Sequence, residues 1–346
     1  MKTIAFFNNK GGVGKTSLVY HLAWMFADHG VKTLAVDLDP QANLTAMFLD
    51  EDRLESLWPD GEHSDTVFGA ISPILRGIGD IAIPHVEKIT TQLRLIPGDL
   101  GLSRFEDNLS DAWPRCHNRI ESAFRTMTAF HRLVQRGVEW GAELVLADVG
   151  PNLGAINRSA LISSDYVCLP LAPDLFSLQG LKNLGPTLRE WRTVWADLLT
   201  KAPSDLPMPK GSMQPIGYIV MQHGISATRP VKAYRKWMDR IPNVYREAVL
   251  NTSAMASPPI VEEDQYCLSL LKHYRSLMPM AMAAHKPIFF LKSADGAIGS
   301  HMEAVRSCYK DFKKLAKKIA EKIDINFPKS ELGLPDDFLE RINFLP

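Results

Sequence analysis

Nearly continuous apolar runs alternate with helical patterns along most of the chain. The runs occupy residues 3–8, 33–38, 93–96, 143–149, 166–171, 215–221 and 287–291. A run without polar alternation is typical of a strand covered on both faces, as in a parallel sheet. Helical patterns lie between several of the runs, at 16–29, 117–138 and 178–199. This alternation predicts an α/β fold with a doubly wound, mostly parallel sheet and helices on both faces.

Three segments depart from this pattern. Residues 50–90 are a mixed region with turn signals, and residues 201–213 are rich in Pro, Lys and Ser, which indicates a surface loop. Residues 324–346 contain three prolines and several acids, together with many large apolar side chains. We therefore expect one domain over 1–323, with 50–90 as an inserted region and 201–213 as a surface loop. The tail at 324–346 is expected to dock either on the body of the protein or on a partner.

Composition narrows the function only slightly. The chain has 346 residues, with 39 basic and 39 acidic side chains and a formal net charge of zero. Binding to nucleic acid would therefore require a local basic patch. No apolar stretch reaches the roughly 18 residues of a membrane span, and the start of the chain leaves no room for a signal peptide. With four widely spaced cysteines, this favours a cytoplasmic protein with reduced thiols.

The first apolar run is followed at once by a glycine-rich loop and then by a helical pattern. Residues 9–16 read NKGGVGKT and fit the phosphate-binding loop pattern at every place but the first, where Asn9 stands for Gly. Glycines can adopt positive φ and approach phosphate oxygens, and the loop N–H groups with the helix N-terminus form an anion nest. The nucleotide-binding residues predicted here are Lys10, Gly11, Gly12, Val13, Gly14, Lys15, Thr16 and Ser17.

Acidic side chains follow two other apolar runs. Asp37 and Asp39 close the run at 33–38, and Asp148 lies near the end of the run at 143–149. Open α/β sheets bind their ligands at the carboxyl ends of parallel strands. Lys15 would reach the β- and γ-phosphates of a nucleotide there, and the Thr16 hydroxyl would bind Mg²⁺.

The loop KGGVGKT, with its early lysine at position 10, resembles the deviant Walker A loop of the ParA/MinD family of ATPases. The resemblance is closest to the ParA/Soj-type partitioning ATPases and runs from residue 2 to about 323. Later segments also resemble family motifs, namely LRLIPG (93–98), VDLDPQANLT (36–45), ELVLADV (143–149), SDYVCLPLAP (164–173) and FSLQGLKNL (176–184).

This resemblance implies an ATPase that uses ATP and Mg²⁺. It implies that Lys10 crosses an ATP-dependent homodimer to the partner's nucleotide, and that Asp39 positions or activates the attacking water. The catalytic residues would be Lys10, Lys15 and Asp39. The residues near the metal would be Thr16, Asp37 and Asp148. The family places its adenine contacts at Met221 and Gln222 and in the segment after Pro287.

The chain departs from the family after Asp148. The usual Thr-Pro-Pro is replaced by Val149, Gly150 and Pro151, so a threonine hydroxyl is missing. Whether this slows hydrolysis or alters the switch is left open by the sequence.

A basic segment at 229–246 is the candidate for DNA binding. The resemblance implies sequence-independent contacts to DNA phosphates through basic residues in the C-terminal half. Positions 229, 232, 236 and 240 can share one helical face, and the alternative is an ordinary solvated face. The predicted DNA-binding residues are Arg229, Lys232, Arg235, Lys236 and Arg240.

A second basic segment lies near the end of the domain. Residues 310–323 hold six lysines, and one helical stripe is formed by Phe312, Leu315, Ala316, Ile319 and Ile323. The pattern fits the last core helix with its lysines in water. Contact with DNA, or with a membrane surface as in MinD, is the alternative.

The expected function is a ParA-like ATPase that dimerises on ATP and positions DNA or another cargo, with a separate partner protein, ParB-like or another activator, that stimulates hydrolysis. The protein would lie in the cytoplasm, and on the nucleoid if it binds DNA. The alternative is a regulatory ATPase that acts through a protein partner or a membrane surface. A reductase with a shared iron–sulfur cluster is disfavoured because no cysteine lies near residues 148–157. An ATP-dependent ligase is disfavoured because the sequence indicates no further substrate pocket.

Overall fold

The computed structural model describes residues 1–222, 231–274 and 276–328. Its centre is a sheet whose strands are β1 (Lys2–Phe6), β2 (Thr33–Leu38), β3 (Glu87–Lys88), β4 (Leu93–Ile96), β5 (Leu144–Val149), β6 (Tyr166–Leu171), β7 (Gln214–Gln222) and β8 (Cys267–Lys272). The strand order is β3-β4-β2-β5-β1-β6-β7-β8. Every described pairing is parallel except that of β3 with β4. The predicted mostly parallel α/β sheet is confirmed.

Helices cover the sheet on both sides. Their bounds are α1 (Lys15–Asp28), α2 (Asn43–Phe48), α3 (Glu51–Leu57), α4 (Val67–Leu75), α5 (Phe105–His117), α6 (Glu121–Met127), α7 (Ala129–Trp140), α8 (Ala155–Ile162), α9 (Leu175–Leu199), α10 (Val231–Met238), α11 (Ile241–Val244), α12 (Leu277–Ala283) and α13 (Ser300–Ile323). A π-helical turn, Tyr245–Leu250, follows α11.

Alternate residues of the central strands enter two separate hydrophobic cores. On β1, Ile4 and Phe6 belong to the core beneath α1 and α13, whereas Ala5 belongs to the core beneath α5 to α9. Strand β5 divides in the same way. Because both faces are covered, these strands carry the uninterrupted apolar runs seen in the sequence.

Two predicted elements differ from the structure. Residues 287–291 are not a strand, because the backbone after Pro287 forms a short 3₁₀ turn at Ile288–Phe290. The last strand is instead β8, which the sequence prediction missed. The helical pattern at 117–138 is divided, because residues 118–120 separate α5 from α6 and Thr128, with φ −101°, separates α6 from α7.

The segment after α13 returns to the body of the protein. The Phe327 ring stacks on His29 with a centroid distance of 4.3 Å and meets Phe26 at 5.6 Å. Residues 329–346, the larger part of the predicted tail, lie outside the described residues. Within the described part of the chain, no helix has the length and apolarity needed to cross a membrane.

Candidate functional site

The glycine-rich loop joins β1 to α1 and is fixed at its root by Asn8. The Asn8 amide donates to the Pro170 carbonyl at 2.6 Å, and its Oδ1 accepts from the Lys10 N–H at 2.9 Å. Gly12 and Gly14 adopt positive φ, at 72° and 88°. Gly11, which was also expected to do so, does not. The loop therefore takes its turn at two of the three expected glycines and leads directly into the N-terminus of α1.

Lys15, the first residue of α1, points into the protein and is only 6% exposed. Burial lowers the pKa of its amine, and the nearby Asp148 and Asp39 carboxylates oppose that shift. The amine therefore lies near two negative groups at the start of α1. This is the placement expected for a lysine that binds phosphate.

Asp37 and Asp148 are directly opposite each other on the neighbouring strands β2 and β5. Both side chains are fully buried. Burial raises the pKa of Asp37 well above its usual range, and two hydrogen bonds from Thr45 oppose the shift. Burial, reinforced by the charge of Asp37, also raises the pKa of Asp148 well above its usual range. Two carboxylates forced together in this way favour a cation between or beside them.

Asp37 is held by residues that the sequence prediction did not single out. The Thr45 N–H and hydroxyl donate to Asp37 Oδ2 at 2.9 and 2.7 Å. The Gly98 N–H donates in turn to the Thr45 hydroxyl at 2.8 Å. A Cβ on Gly98 would lie 2.7 Å from the Asp37 carboxyl carbon, so the site requires glycine there. Thr45 closes the segment VDLDPQANLT, which was the one available signal.

The Asp148 side chain fits a role beside a magnesium ion. Neither of its oxygens receives a hydrogen bond of ordinary geometry from the described residues, although the Thr16 hydroxyl is near enough to favour the ionised form. No group of three or more His, Cys, Asp or Glu side chains in the described ranges could hold a metal alone. Mg²⁺ needs few protein ligands when phosphate and water supply the rest, so the donor set fits.

Asp39 lies just beyond the end of β2 and is 6% exposed. Its Oδ1 accepts from the Gln41 N–H at 3.0 Å, which fixes the carboxylate at the mouth of the site. A Cβ placed on Gly150, in the loop after β5, would lie 3.6 Å from the same oxygen. Asp39 therefore faces the segment in which the chain departs from the family pattern.

Lys10 contacts its own subunit. Its amine forms an ion pair with Asp174 and lies 5.8 Å from the centroid of the Phe176 ring. Asp174 also caps α9, since its Oδ1 accepts from the Ser177 N–H at 2.9 Å. The adjoining apolar side chains are exposed, Leu175 by 51% and Phe176 by 70%. The structure thus joins Lys10 to an exposed apolar edge beside the loop.

A cavity of about 180 Å³ opens beside the loop, between α1, β7 and the segments after β8. Its lining includes Gly14, Ser17, Met221, Tyr274 and Ile288. Of the predicted adenine contacts, Met221 and the segment after Pro287 line this cavity. Gln222 ends β7 beside it, and Val13 is buried at the base of the loop.

His21, on the next turn of α1, also lines this cavity and was missed by the sequence prediction. Its Nδ1 lies 2.6 Å from the Ser17 carbonyl, and its Nε2 accepts from the Ile288 N–H at 3.1 Å. Burial lowers the pKa of the His21 imidazole to about 4. The neutral ring therefore links α1 to the segment after Pro287.

The basic segment differs from its sequence prediction. Helix α10 ends at Met238, so Arg240 lies beyond it and does not share one helix with Lys236. Lys236 and Arg240 are exposed and flank the Trp237 ring at 5.1 and 5.4 Å.

The other members of this segment differ in their surroundings. Arg235 lies 3.7 Å from Glu262, and Arg246 is buried in an ion pair with Asp264 at 2.6 Å. Arg229 lies outside the described residues. Lys232 lies within α10.

The lysine-rich segment near the end of the domain is the second half of α13. Its predicted apolar stripe is buried in the core beneath the helix, as shown by Phe312, Leu315, Ala316, Ile319 and Ile323. This confirms the interpretation as the last core helix. Its apolar face is already occupied by the protein itself.

Comparisons with known proteins identify the family of the chain. The sequence profile of the AAA domain matches residues 1–200. The chain is 34% identical to a ParA family protein of Chlamydia pneumoniae over 189 residues, which is 53% of this chain and 64% of that protein. It is 30% identical to the sporulation initiation inhibitor protein Soj of Bacillus subtilis, over 54% of this chain and 65% of that protein.

Solved structures extend the likeness over the whole fold. A protein from Corynebacterium diphtheriae superposes with a TM-score of 0.64 at 25% identity, covering 93% of this chain and 99% of that one. A Cyanothece McdA variant in complex with ATP superposes with a TM-score of 0.61 at 15% identity, covering 94% and 97%. At that identity the likeness concerns the fold alone.

The chain therefore belongs to the AAA domain family. Over about half of its length it is similar in sequence to ParA-type proteins, and its fold is similar to that of MinD. It spans about half to two thirds of the length of the curated relatives it matches.

Proposed function

We propose that the chain is a Mg²⁺-dependent ATPase that forms an ATP-dependent sandwich dimer. It acts as a switch in DNA partitioning or in the positioning of another cargo, and binds DNA without sequence preference in its ATP state. A separate partner protein stimulates its hydrolysis.

One observation carries the ATPase assignment. The carboxylates of Asp39 and Asp148 lie near Lys15, and Asp37 lies beside Asp148, at the end of a glycine loop with two positive-φ residues. Buried like charges are costly unless a ligand neutralises them. A bound metal ion would neutralise the carboxylates, and the phosphates of a nucleotide would neutralise the Lys15 amine.

The metal would be held by Thr16 and Asp148. Asp37 would lie near it, because Asp37 is opposite Asp148 on the neighbouring strand. When bound, Mg²⁺ neutralises the phosphate charge that develops as the terminal phosphoryl group is transferred. The chain's own residues position the substrate: Lys15 binds the phosphates, and Asp39 orients the attacking water.

Dimerisation is supported by the surroundings of Lys10. For this lysine to reach a partner's nucleotide, its ion pair with Asp174 must open. The exposed Leu175 and Phe176 lie at the same edge and could be covered by a second copy. ATP would then favour the dimer through contacts that ADP cannot make, which is what a switch requires.

A Lys10→Ala variant tests the dimer. We expect it to bind ATP as a monomer, because its loop N–H groups and Lys15 remain while the crossing charge is lost. Light scattering with ATP under turnover-free conditions would measure this. Normal ATP-dependent dimers in the variant would show that Lys10 does not join the subunits, and a Lys88→Ala variant, at an exposed position on β3, is the matched control.

DNA binding is supported by the exposed Lys236 and Arg240, which both lie close to the Trp237 ring. The test is binding to non-specific duplex DNA with ATP, with ADP and without nucleotide, over a salt series. Affinity that requires ATP and falls with salt would support the proposal. ATP-dependent dimers that bind no DNA in any state would move the function to a protein partner.

A protein partner is the second candidate, and one observation favours it. A cleft of about 920 Å³ opens in the inserted region, between α4 and the segment 82–85, lined by both polar and apolar groups such as His63, Phe68 and Arg76. A membrane surface has less support, because the apolar face of α13 is buried in the core.

A further inference from the structure

The loop after β5 lacks the family's threonine hydroxyl, but a buried amide occupies the same end of the site. Asn157, on α8, is 1% exposed. Its Nδ2 donates to the Gly150 carbonyl at 3.0 Å, to the Asn152 carbonyl at 2.6 Å and to Asn152 Oδ1 at 2.9 Å. These contacts close the loop over the N-terminus of α8.

The three acceptors fix the orientation of this amide. If the group were flipped, its oxygen would face three other oxygens and no donor would lie between them. The Asn157 Oδ1 must therefore point away from Asn152. There it is buried and accepts no hydrogen bond from any of the residues that the structure describes.

The unpaired oxygen and the Asp39 carboxylate both border the space beside Gly150. A Cβ on Gly150 would stand 3.7 Å from Asn157 Oδ1 and 3.6 Å from Asp39 Oδ1. Two acceptors thus border one small space beside the Gly150 backbone. A buried carbonyl oxygen left without a donor is costly. Asp39 Oδ1 already accepts from the Gln41 N–H and has a second lone pair, so one donor placed between the two oxygens would serve both. Water is the donor that has one proton for each.

We propose that Asn157 and Asp39 together orient the water that attacks ATP, with Asn157 as a water-positioning residue in place of the missing hydroxyl. The inference rests on the proposed ATPase function. The water oxygen forms a bond to the γ-phosphorus while the bond from that phosphorus to the ADP oxygen breaks. The ADP oxygen keeps the electron pair, and the leaving proton passes to the phosphoryl oxygens, giving ADP and inorganic phosphate.

Gly150→Ala tests the proposal without removing any polar group. The new methyl would lie 3.6 Å from Asp39 Oδ1, 3.7 Å from Asn157 Oδ1 and 3.5 Å from Asn157 Nδ2, which are ordinary contact distances, and Gly150 does not have a positive φ. The chain can therefore fold, but the water is displaced. We expect kcat to fall by at least about tenfold while KM and ATP affinity stay within about twofold, because only the attacking group is misplaced.

Gly79→Ala is the matched control, since Gly79 is exposed in the inserted region and its nearest neighbour would be 4.0 Å away. We expect it to keep the wild-type kcat. Asn157→Leu should lower kcat by a similar factor, and the double variant with Gly150→Ala should be no slower, because both changes remove the same water.

Three results would overturn the inference. The first is a wild-type kcat in Gly150→Ala. The second is a loss of kcat that is matched by an equal loss of ATP affinity, which would assign Gly150 to the structure of the loop. In both cases wild-type hydrolysis leaves the proposed ATPase intact. The third, a wild-type chain that binds ATP but never hydrolyses it, would overturn the ATPase as well.

Discussion

The nucleotide site and the basic segment both depend on charge, but they use it in opposite ways. At the site, Lys15 and Asp37 are buried and each is held by particular neighbours. In the basic segment, Lys236 and Arg240 are exposed and rest on one aromatic ring. Buried charge is tolerated only with a fixed set of partners, so it leaves a strict sequence motif. An exposed charge needs only the right sign and position, so its neighbours in the sequence can vary and no strict motif results.

Arg246 shows that a basic residue in such a run need not be exposed. In the sequence it belongs to the basic run, but in the structure it is buried against Asp264, with Nη2 and Oδ1 2.6 Å apart. The Tyr218 hydroxyl donates to the other oxygen of Asp264, also at 2.6 Å. Arg246 therefore joins the π-helical turn after α11 to the edge of the sheet and is not available to a polyanion.

The largest effect is expected at the most buried cation. Lys15→Ala should reduce ATP affinity by about a thousandfold, because about two charge-assisted hydrogen bonds to phosphate are lost at ~2 kcal/mol each. Calorimetric titration with ATP and Mg²⁺ measures this. Lys88→Ala, which removes an exposed lysine on β3, should bind ATP normally. Micromolar affinity in Lys15→Ala would contradict the phosphate-loop assignment.

Asp39→Ala should keep ATP-bound dimers but lower turnover by about a hundredfold or more, since the water loses its fixed acceptor. Phosphate release is the measurement, with dimer formation followed in the same sample. Asp107→Ala, at an exposed position on α5, is the control. Hydrolysis at the wild-type rate in Asp39→Ala would reject its role.

The fold was predictable from the sequence where a run of buried residues is also a strand. Strands β1, β2 and β5 carry continuous apolar runs because both of their faces are covered. Strand β8 was missed because it forms an edge of the sheet and is only partly buried, with an exposed Lys272. The apolar stretch at 287–291 was misassigned because apolarity reports burial and not backbone geometry.

The site was predictable as far as its motifs extend along the chain. The loop, Asp37 and Asp148 follow from short segments whose spacing is set by strand ends. Contacts between distant segments left no such signal. The hydrogen bond between Gly98 and Thr45, 53 residues apart in the chain, and the position of Asn157 near Asp39 depend on packing that only the structure shows.

A smaller effect is expected from pH, through His21. Its folded pKa of about 4 lies below the ordinary 6.5, so between these values the unfolded chain binds a proton that the folded chain does not. Stability is therefore full above pH 6.5 and is lost as pH falls towards 4. Between pH 7 and 5 this group alone should lower the free energy of unfolding by ~2 kcal/mol.

Denaturant unfolding at the two pH values, with His21→Gln for comparison, measures that contribution. The variant cannot titrate at this position, so its change in stability between pH 7 and 5 should be smaller by about the same amount. An NMR titration of the wild-type imidazole gives an independent value. An imidazole that titrates near pH 6.5 would show that the ring is not the neutral link between Ser17 and Ile288.

The smallest effect is expected in the basic segment, where each charge acts separately. Lys236→Ala combined with Arg240→Ala should weaken ATP-dependent DNA binding several-fold and lower the salt slope by about two, if each side chain contacts one phosphate. Basal ATP turnover should not change, because neither residue approaches the loop. Removal of the same charge at Lys88 and Arg115, both exposed in the first half of the chain, is the control. An equal loss of affinity in the control would mean that DNA responds to overall charge and not to the surface around Trp237.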